Sequence, residues 1–171
     1  MLKKLSVVLV LLVLASCVPN KTISMESDFD KSEAAYVKNK GENIIVGSGL
    51  IRKQSGGVVT CAGYDVELFP ITKYSSEMMQ KVYDNKAKGY LASFYTVQNL
   101  DTSYHIYKKT TTCDAQGGFK FRSIADGDYY LNSTVKWTVF NPQLGEMPQG
   151  GNLMQRVSVY GGETKEIVLA P

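Results

Sequence analysis

Histidine is almost absent from the 171-residue chain: His105 stands alone. A single imidazole excludes histidine-built metal centres and leaves a Ser-His-acid triad with nothing to choose from. Tryptophan occurs once, at Trp137, and proline five times. Cysteine occurs three times, at positions 17, 61 and 113, and two thiols with one histidine fall short of a four-ligand zinc site. An excess of charge is also lacking. Lys and Arg number 19 against 16 Asp and Glu, and two of the lysines, Lys3 and Lys4, lie in the first four residues. Beyond position 16 the basic excess is a single residue. The clustered cations that neutralise phosphate are missing, so no nucleic-acid partner is expected. After Ala15 no stretch has the roughly 20 apolar residues of a membrane-spanning helix. Nothing in the residue pattern calls for a cofactor.

What is present begins with a basic start, Lys3 and Lys4, followed by an uncharged run from Leu5 to Ala15. A positive segment ahead of a short apolar run is the pattern of a signal peptide. The run closes on "LASC", Leu14 to Cys17, which resembles the lipobox of bacterial lipoproteins. That resemblance implies cleavage after Ser16 and diacylglyceryl transfer to the Cys17 sulfur, with the membrane as partner through the acyl chains. Two or more chains anchor stably where one does not, each buried methylene contributing about 0.8 kcal/mol. Among lipoproteins of Gram-negative bacteria, Asp after the acylated Cys favours inner-membrane retention. Here Val18 follows, which implies the outer membrane, with the protein periplasmic or surface-exposed.

With Cys17 assigned to lipid, Cys61 and Cys113 remain as an even pair in an oxidising compartment, where a disulfide is expected. Two unpaired thiols or a metal pair are the alternatives. Residues 17–42 are polar with scattered charges and read as a lipidated tether, with a short helix in "DFDKSEAAYVK" beginning near Asp28 or Asp30.

From position 43 the texture is that of strands. Plentiful tyrosine, β-branched residues and recurrent glycine indicate an all-β domain over 43–171. In "GYDVELFP", Val66 and Leu68 alternate with Asp65 and Glu67 up to Pro70. In "YYLNSTVKWTVF", Tyr129, Leu131, Val135, Trp137 and Val139 alternate with Asn132, Thr134, Lys136 and Thr138, a period of two. "YLASFYTVQ" and "SYHIYKKTTTCD" read as paired strands about "NLD", "NPQLGEMPQGG" as a loop, and "LMQRVSVYGGETKEIVLAP" as a closing hairpin. One stretch breaks the pattern. "YSSEMMQKVYDNKAKG" predicts a helical insertion at about 75–88, capped by Ser75 or Ser76 and stopped by Gly89, with Met79, Val82 and Tyr83 on one face.

Three stretches, "GGVVTCAGYDVELFP", "TTTCDAQGGFKFRSIADGDYYL" and "RVSVYGGETKEIVLAP", resemble the carboxypeptidase regulatory-like domain, a transthyretin-like antiparallel β-sandwich, over roughly 44–170. The resemblance implies a rigid, non-catalytic module of envelope and extracellular proteins. Enzymes on similar sandwiches, hydroxyisourate hydrolases and intradiol dioxygenases, need histidines that this chain does not have. The Lys–Asn cross-link of pilin-type relatives needs an acid that "YYLNSTVKW" lacks, and "DAQGGF" lacks the ligands of a calcium loop.

Tyr90, Tyr95, Tyr104 and Tyr107 cluster beside Phe94 and His105. They read either as half-buried strand residues or as a partner-binding face, since tyrosine offers apolar area with a hydroxyl. Two functions are compatible with this composition. The first is an envelope lipoprotein whose inert sandwich gives structural support or docks a protein partner through a flat tyrosine-bearing patch. The second is a small-ligand or glycan binder with a concave cleft, lined by Tyr and Trp, between the insertion and the sheet.

Overall fold

The computed structural model describes residues 21–84, 86–92 and 95–171. The segment 1–16, the lipidation position Cys17 and Phe94 lie outside the described residues. In chain order the strands are β1 (Lys21–Ser24), β2 (Lys40–Arg52), β3 (Val58–Thr60), β4 (Asp65–Pro70), β5 (Lys88–Leu91) and β6 (Tyr95–Gln98). They continue as β7 (Lys109–Thr112), β8 (Gly118–Ile124), β9 (Gly127–Asn141), β10 (Gly145–Val159) and β11 (Thr164–Leu169). The helices are α1 (Lys31–Ala34) and α2 (Lys73–Tyr83), with 3-10 turns at Ala35–Lys38 and Thr102–Ile106.

Two sheets face each other as a sandwich. One has five strands in the order β5-β10-β9-β4-β7, all antiparallel. The other is built on β2, with β11 parallel along one edge and β8 then β3 antiparallel along the other. Alternation along the strands fills the space between. Ile45, Phe119, Phe121 and Ile124 from one sheet meet Val66, Leu68, Leu131, Val135 and Leu153 from the other, all buried. Cys61 and Cys113 are joined in a disulfide, with Cα atoms 5.8 Å apart. It links the segments after β3 and β7, one from each sheet. Closing a loop of 52 residues contributes about 4 kcal/mol in the chain-entropy account.

The outer face of the five-stranded sheet carries a second core at one end. Phe69, Tyr130 and Met154 point outward there and are covered by Tyr74, Met78, Met79 and Val82 of α2 and by Ile23, Met25 and Phe29. The last three correct the expected tether over 17–42: from residue 21 onward the segment is packed, with Ala34 and Val37 fully buried as well. Its few apolar residues are dispersed among polar ones, and each fills a place on the sheet or helix. The folded unit therefore includes residues 21–42 and does not start at 43. Asp30 caps α1 by accepting from the Ser32 amide at 2.7 Å.

Other expectations change for local reasons. The helix runs from 73 to 83 instead of about 75–88. Thr72, not Ser75 or Ser76, caps it: Thr72 Oγ1 accepts from the Ser75 amide at 3.1 Å and Ser75 Oγ accepts from the Thr72 amide at 2.9 Å. The helix ends because Asp84 is left-handed, at φ 56°, and because 88–91 is taken as β5 on the sheet edge. β6 pairs in parallel with β1, and "SYHIY" winds into a 3-10 turn capped by Asp101, so the strand pair about "NLD" does not form. The closing segment is not a hairpin either. β10 and β11 belong to different sheets, and Asn43 Oδ1 ties the turn between them by accepting from the Gly162 and Glu163 amides at 2.8 and 2.9 Å. "NPQLGEMPQGG" is largely strand, extending β10 along the far end of β9.

The N-terminal segment is held by Glu77. Its carboxylate accepts from the Glu26 and Ser27 amides at 2.7 and 2.9 Å and from the Ser27 hydroxyl, and pairs with Lys81 at 2.8 Å. Burial raises its pKa, but hydrogen bonds from Lys81, Ser27 and the two amides outweigh burial and leave it at about 2, below the ordinary 4.5. A carboxylate depressed on folding stabilises fully above its unfolded pKa and loses that contribution as pH falls through the folded one. Segment 21–33 is expected to loosen between pH 4.5 and about 2. Amide exchange at Glu26 and Ser27 should accelerate over that window, and Glu77→Gln should give fast exchange already at neutral pH.

Candidate functional site

The covering layer stops partway along β9, and a cleft opens where it stops. Register places the cleft floor on the outer face of the five-stranded sheet. Asn132 lies opposite Glu67 of β4 on one side and Met154 of β10 on the other, and Thr134 lies opposite Asn152. Glu67, Asn132, Thr134 and Asn152 thus form one polar patch directly beyond the apolar Tyr130 and Met154. The walls are aromatic: Tyr83 at the end of α2, Tyr95 at the start of β6, and Tyr64 just before β4. The cavity is about 340 Å³, at the small end of ligand-sized clefts.

Each wall residue has a local reason for its place. Tyr83 closes the buried face of α2 and is 5% exposed. Its ring lies on Gly89, where an added Cβ would be 2.2 Å from Tyr83 Cδ1. Glycine at 89 is therefore the seat of the ring and not the helix stop that the sequence suggested. Tyr95 is half-buried, and its pKa is raised by burial and then by the charge of Glu67. Burial likewise raises Tyr83, with Tyr95 adding to it. Both phenols stay protonated across the neutral range, as hydroxyls that donate and accept.

The floor is partly satisfied within the protein. Thr134 Oγ1 donates to Asn152 Oδ1 at 2.7 Å, and Glu67 is paired with Lys108. Asn132 Oδ1 is different. It is sealed from solvent and has no hydrogen-bond partner among the described residues. An unmet buried acceptor costs about 1–3 kcal/mol, and because Asn132 lines the cleft, a turn of its side chain would present the amide to a donor from outside.

The tyrosines singled out in the sequence do not form one surface. Tyr104 is 3% exposed, stacked on Phe69 with ring centroids 4.8 Å apart and edge-on to Phe29, which removes it from any partner-binding face. Tyr107 is half-buried beneath the Lys38 ammonium, 3.8 Å from the ring centre. Tyr90 is exposed and donates to the Gly150 carbonyl at 3.1 Å. Tyr95 alone of the four lines the cleft. His105 is exposed on the 3-10 turn, and Trp137 packs against the inner core, away from the cleft. Sequence reasoning passed over Asn132, Thr134 and Glu67 as the polar positions of alternating strands and gave Asn152 no role. The one signal was a run of amide and hydroxyl side chains on the polar side of β9.

Two more voluminous concavities offer less. A hollow of about 760 Å³ beside Glu26, Glu77 and Lys81 has its charges spent on holding the N-terminal segment. A groove of about 830 Å³ crosses the outer faces of β2, β8 and β11, where the aromatic residue, Phe119, is turned into the core. Among the described residues no group of three His, Cys, Asp or Glu could hold a metal ion.

Comparison with known proteins sets this geometry in context. No family model matches the chain, and no curated protein matches it. Among solved structures, the chain is similar to a protein of Pseudomonas aeruginosa described as a candidate carbohydrate-binding protein. Identity is 25%, the TM-score is 0.71, and the match covers 85% of this chain and 99% of that one. A chlorocatechol 1,2-dioxygenase from Pseudomonas putida matches at 12% identity with a TM-score of 0.29, over 92% of this chain and 69% of that one, too low to bear on function.

The wall is open to a direct test. Gly89→Ala is expected to push the Tyr83 ring out of place and lower stability by about 1–3 kcal/mol, the usual cost of overpacking. Denaturant unfolding measures this. Gly63→Ala is the comparison: its added methyl meets open space, although φ there is +77°, so its cost reports backbone strain without a clash.

Proposed function

We propose that this protein is a lipid-anchored envelope protein, held in the outer membrane through acyl chains on Cys17, whose sandwich binds carbohydrate without catalysing its conversion. The ligand sits in the cleft walled by Tyr83 and Tyr95, on the floor of Glu67, Asn132, Thr134 and Asn152. Sugars present hydroxyls around a ring with weakly apolar C–H faces. A site for them combines aromatic surface with closely spaced amide, hydroxyl and carboxylate groups, and this cleft has that composition. The single observation that carries the reading is Asn132 Oδ1, an acceptor on the floor for which no described residue supplies a donor. The fold match to a candidate carbohydrate-binding protein supports the same reading.

The alternative, docking of a protein through a flat tyrosine patch, has less to stand on, because Tyr104 is interior and Tyr107 half-buried. Anchoring rests on the sequence pattern at Leu14–Cys17. The Cys17→Ser chain is expected in the soluble fraction without lipid label.

Calorimetric titration with a panel of mono- and oligosaccharides tests the binding. At least one saccharide should bind, and Tyr95→Ala and Asn132→Ala should each weaken it about tenfold, which is 1.4 kcal/mol. Asn132→Ala removes an unpartnered acceptor, so its unfolding midpoint should not fall, separating loss of binding from loss of fold. Equal affinity in wild type and both variants, or no binding across the panel, would refute the assignment.

A further inference from the structure

The end of the molecule where the cleft opens carries an unexplained projection. Within the five-stranded sheet, β4 stops pairing with β9 at Ser133, and β5 stops pairing with β10 at Asn152. Beyond those points, among the described residues, β9 and β10 pair only with each other, as far as Asn141 and Gly145. The result is a two-stranded ribbon reaching about 20 Å past Thr134. Its turn is built, not frayed: Asn141 Oδ1 accepts from the Gln143 and Leu144 amides at 2.9 and 3.1 Å, and Gly145 takes φ 78°. The tip is apolar. Phe140 and Leu144 are each 72% exposed, and Val139 is 46% exposed beside Met147. A two-stranded ribbon in water is marginal on its own, and large apolar side chains at its tip add nothing to a monomer's stability.

The chain's direction says what lies at that end. The segment from Lys21 runs antiparallel to α2: Lys81 Nζ donates to the Ser24 carbonyl, Glu77 holds Glu26 and Ser27, and the Lys73 amide donates to Glu33. Lys21 is therefore beyond the C-terminal end of α2, paired with Tyr95 at the cleft. Cys17 is four residues away, within about 14 Å of chain. β2 starts beside Ile124, just before β9, and so runs in the same sense. Its far end, Arg52, and the turn to Val58 flank the same end, with Arg52 and Val58 exposed.

Resting on the lipid anchor proposed above, we infer that the β9–β10 tip is a second membrane contact, with Phe140 and Leu144 entering the acyl boundary of the bilayer that holds Cys17. Unpaired backbone along the ribbon edges cannot enter hydrocarbon without cost, so only the turn penetrates, to about 5–10 Å. Arg52 lies at headgroup height, where anionic lipid attracts it. Three points (acyl chains, ribbon tip and basic turn) fix the orientation of the sandwich where one flexible anchor would not.

Indole fluorescence tests this in the full lipidated chain. Phe140→Trp is compared with Tyr160→Trp, a site 53% exposed in the turn after Val159, at the opposite end of β10. Each is reconstituted in vesicles of equal parts phosphatidylethanolamine and phosphatidylglycerol with brominated acyl chains. Emission of the added indole is taken as the difference from the parent chain, which carries Trp137. Phe140→Trp should lose about two-fold or more of its emission to bromine quenching, and Tyr160→Trp should lose none. A chain that floats with the vesicles while Phe140→Trp is quenched no more than Tyr160→Trp overturns the tip contact and leaves the anchor standing. A chain that does not float overturns both. A blue-shifted Phe140→Trp emission in the vesicle-free Cys17→Ser chain, with a dimer by sedimentation, assigns the tip to a second copy and overturns the proposal as well.

Discussion

The outer face of the five-stranded sheet changes character between adjacent positions, and the rest of the architecture follows from that boundary. On one side are Phe69, Tyr130 and Met154, which must be kept from water. On the other are Glu67, Asn132, Thr134 and Asn152, which lose hydration if they are covered without partners. α2 and the segment from residue 21 therefore cover the first set and stop at the second. The cleft is the step left where the cover ends. Its walls are the last covering residues, Tyr83 and Tyr95, and its floor is the first uncovered row.

That boundary explains why aromatic residues meet polar ones here without contradiction in either core. Tyr83 serves the second core with most of its ring and the cleft with the remainder, and Gly89 gives it room. The unmet acceptor at Asn132 lies at the same step. Elsewhere the buried polar groups are largely satisfied: Asn43 donates to the Ile124 carbonyl at 3.0 Å and accepts from two amides, and Ser133 donates to the Asp65 carbonyl at 2.9 Å. Among the described residues the Tyr104 hydroxyl and Gln155 Oε1 are also without partners. A stable domain tolerates a few such lapses at a cost small beside that of its main core, and the one at Asn132 lies where a ligand can relieve it.

Much of the fold was legible in the sequence because period-two alternation is a local signal. Leu131 and Val135 on one side of β9, and Asn132 and Thr134 on the other, fall as the alternation requires. The pairing of Cys61 with Cys113 followed from the count, and the existence of α2 from its apolar spacing. What was not legible depends on distant partners. Ile23, Met25 and Phe29 look like strays in a polar segment until α2 and Tyr104 are placed beside them. β11 was read as half of a hairpin because the turn at Gly161 and Gly162 is tight, yet its pairing with β2 is set by residues more than a hundred positions away. The cleft fell into the same gap. Asn132 and Asn152 become neighbours of Glu67 only through the β4-β9-β10 register, which no single strand encodes.

Register also ties the two functional proposals to one end of the molecule. β9 carries the apolar Tyr130 under the cover, then Asn132 and Thr134 in the cleft, then Phe140 at the ribbon tip, all in one strand. Successive zones along a rigid strand keep fixed spacing, so a tip held at a membrane surface holds the cleft at a set height, about 20 Å back along the ribbon. A tether alone would let the cleft sample every direction around Cys17. On the proposed anchor, a ribbon tip held at the bilayer would restrict it to a shell near the surface, where a ligand presented from the same surface would meet it at high effective concentration. On the two proposals together one strand serves both tasks: the backbone that sets the proposed sugar-binding floor would also measure its distance from the lipid.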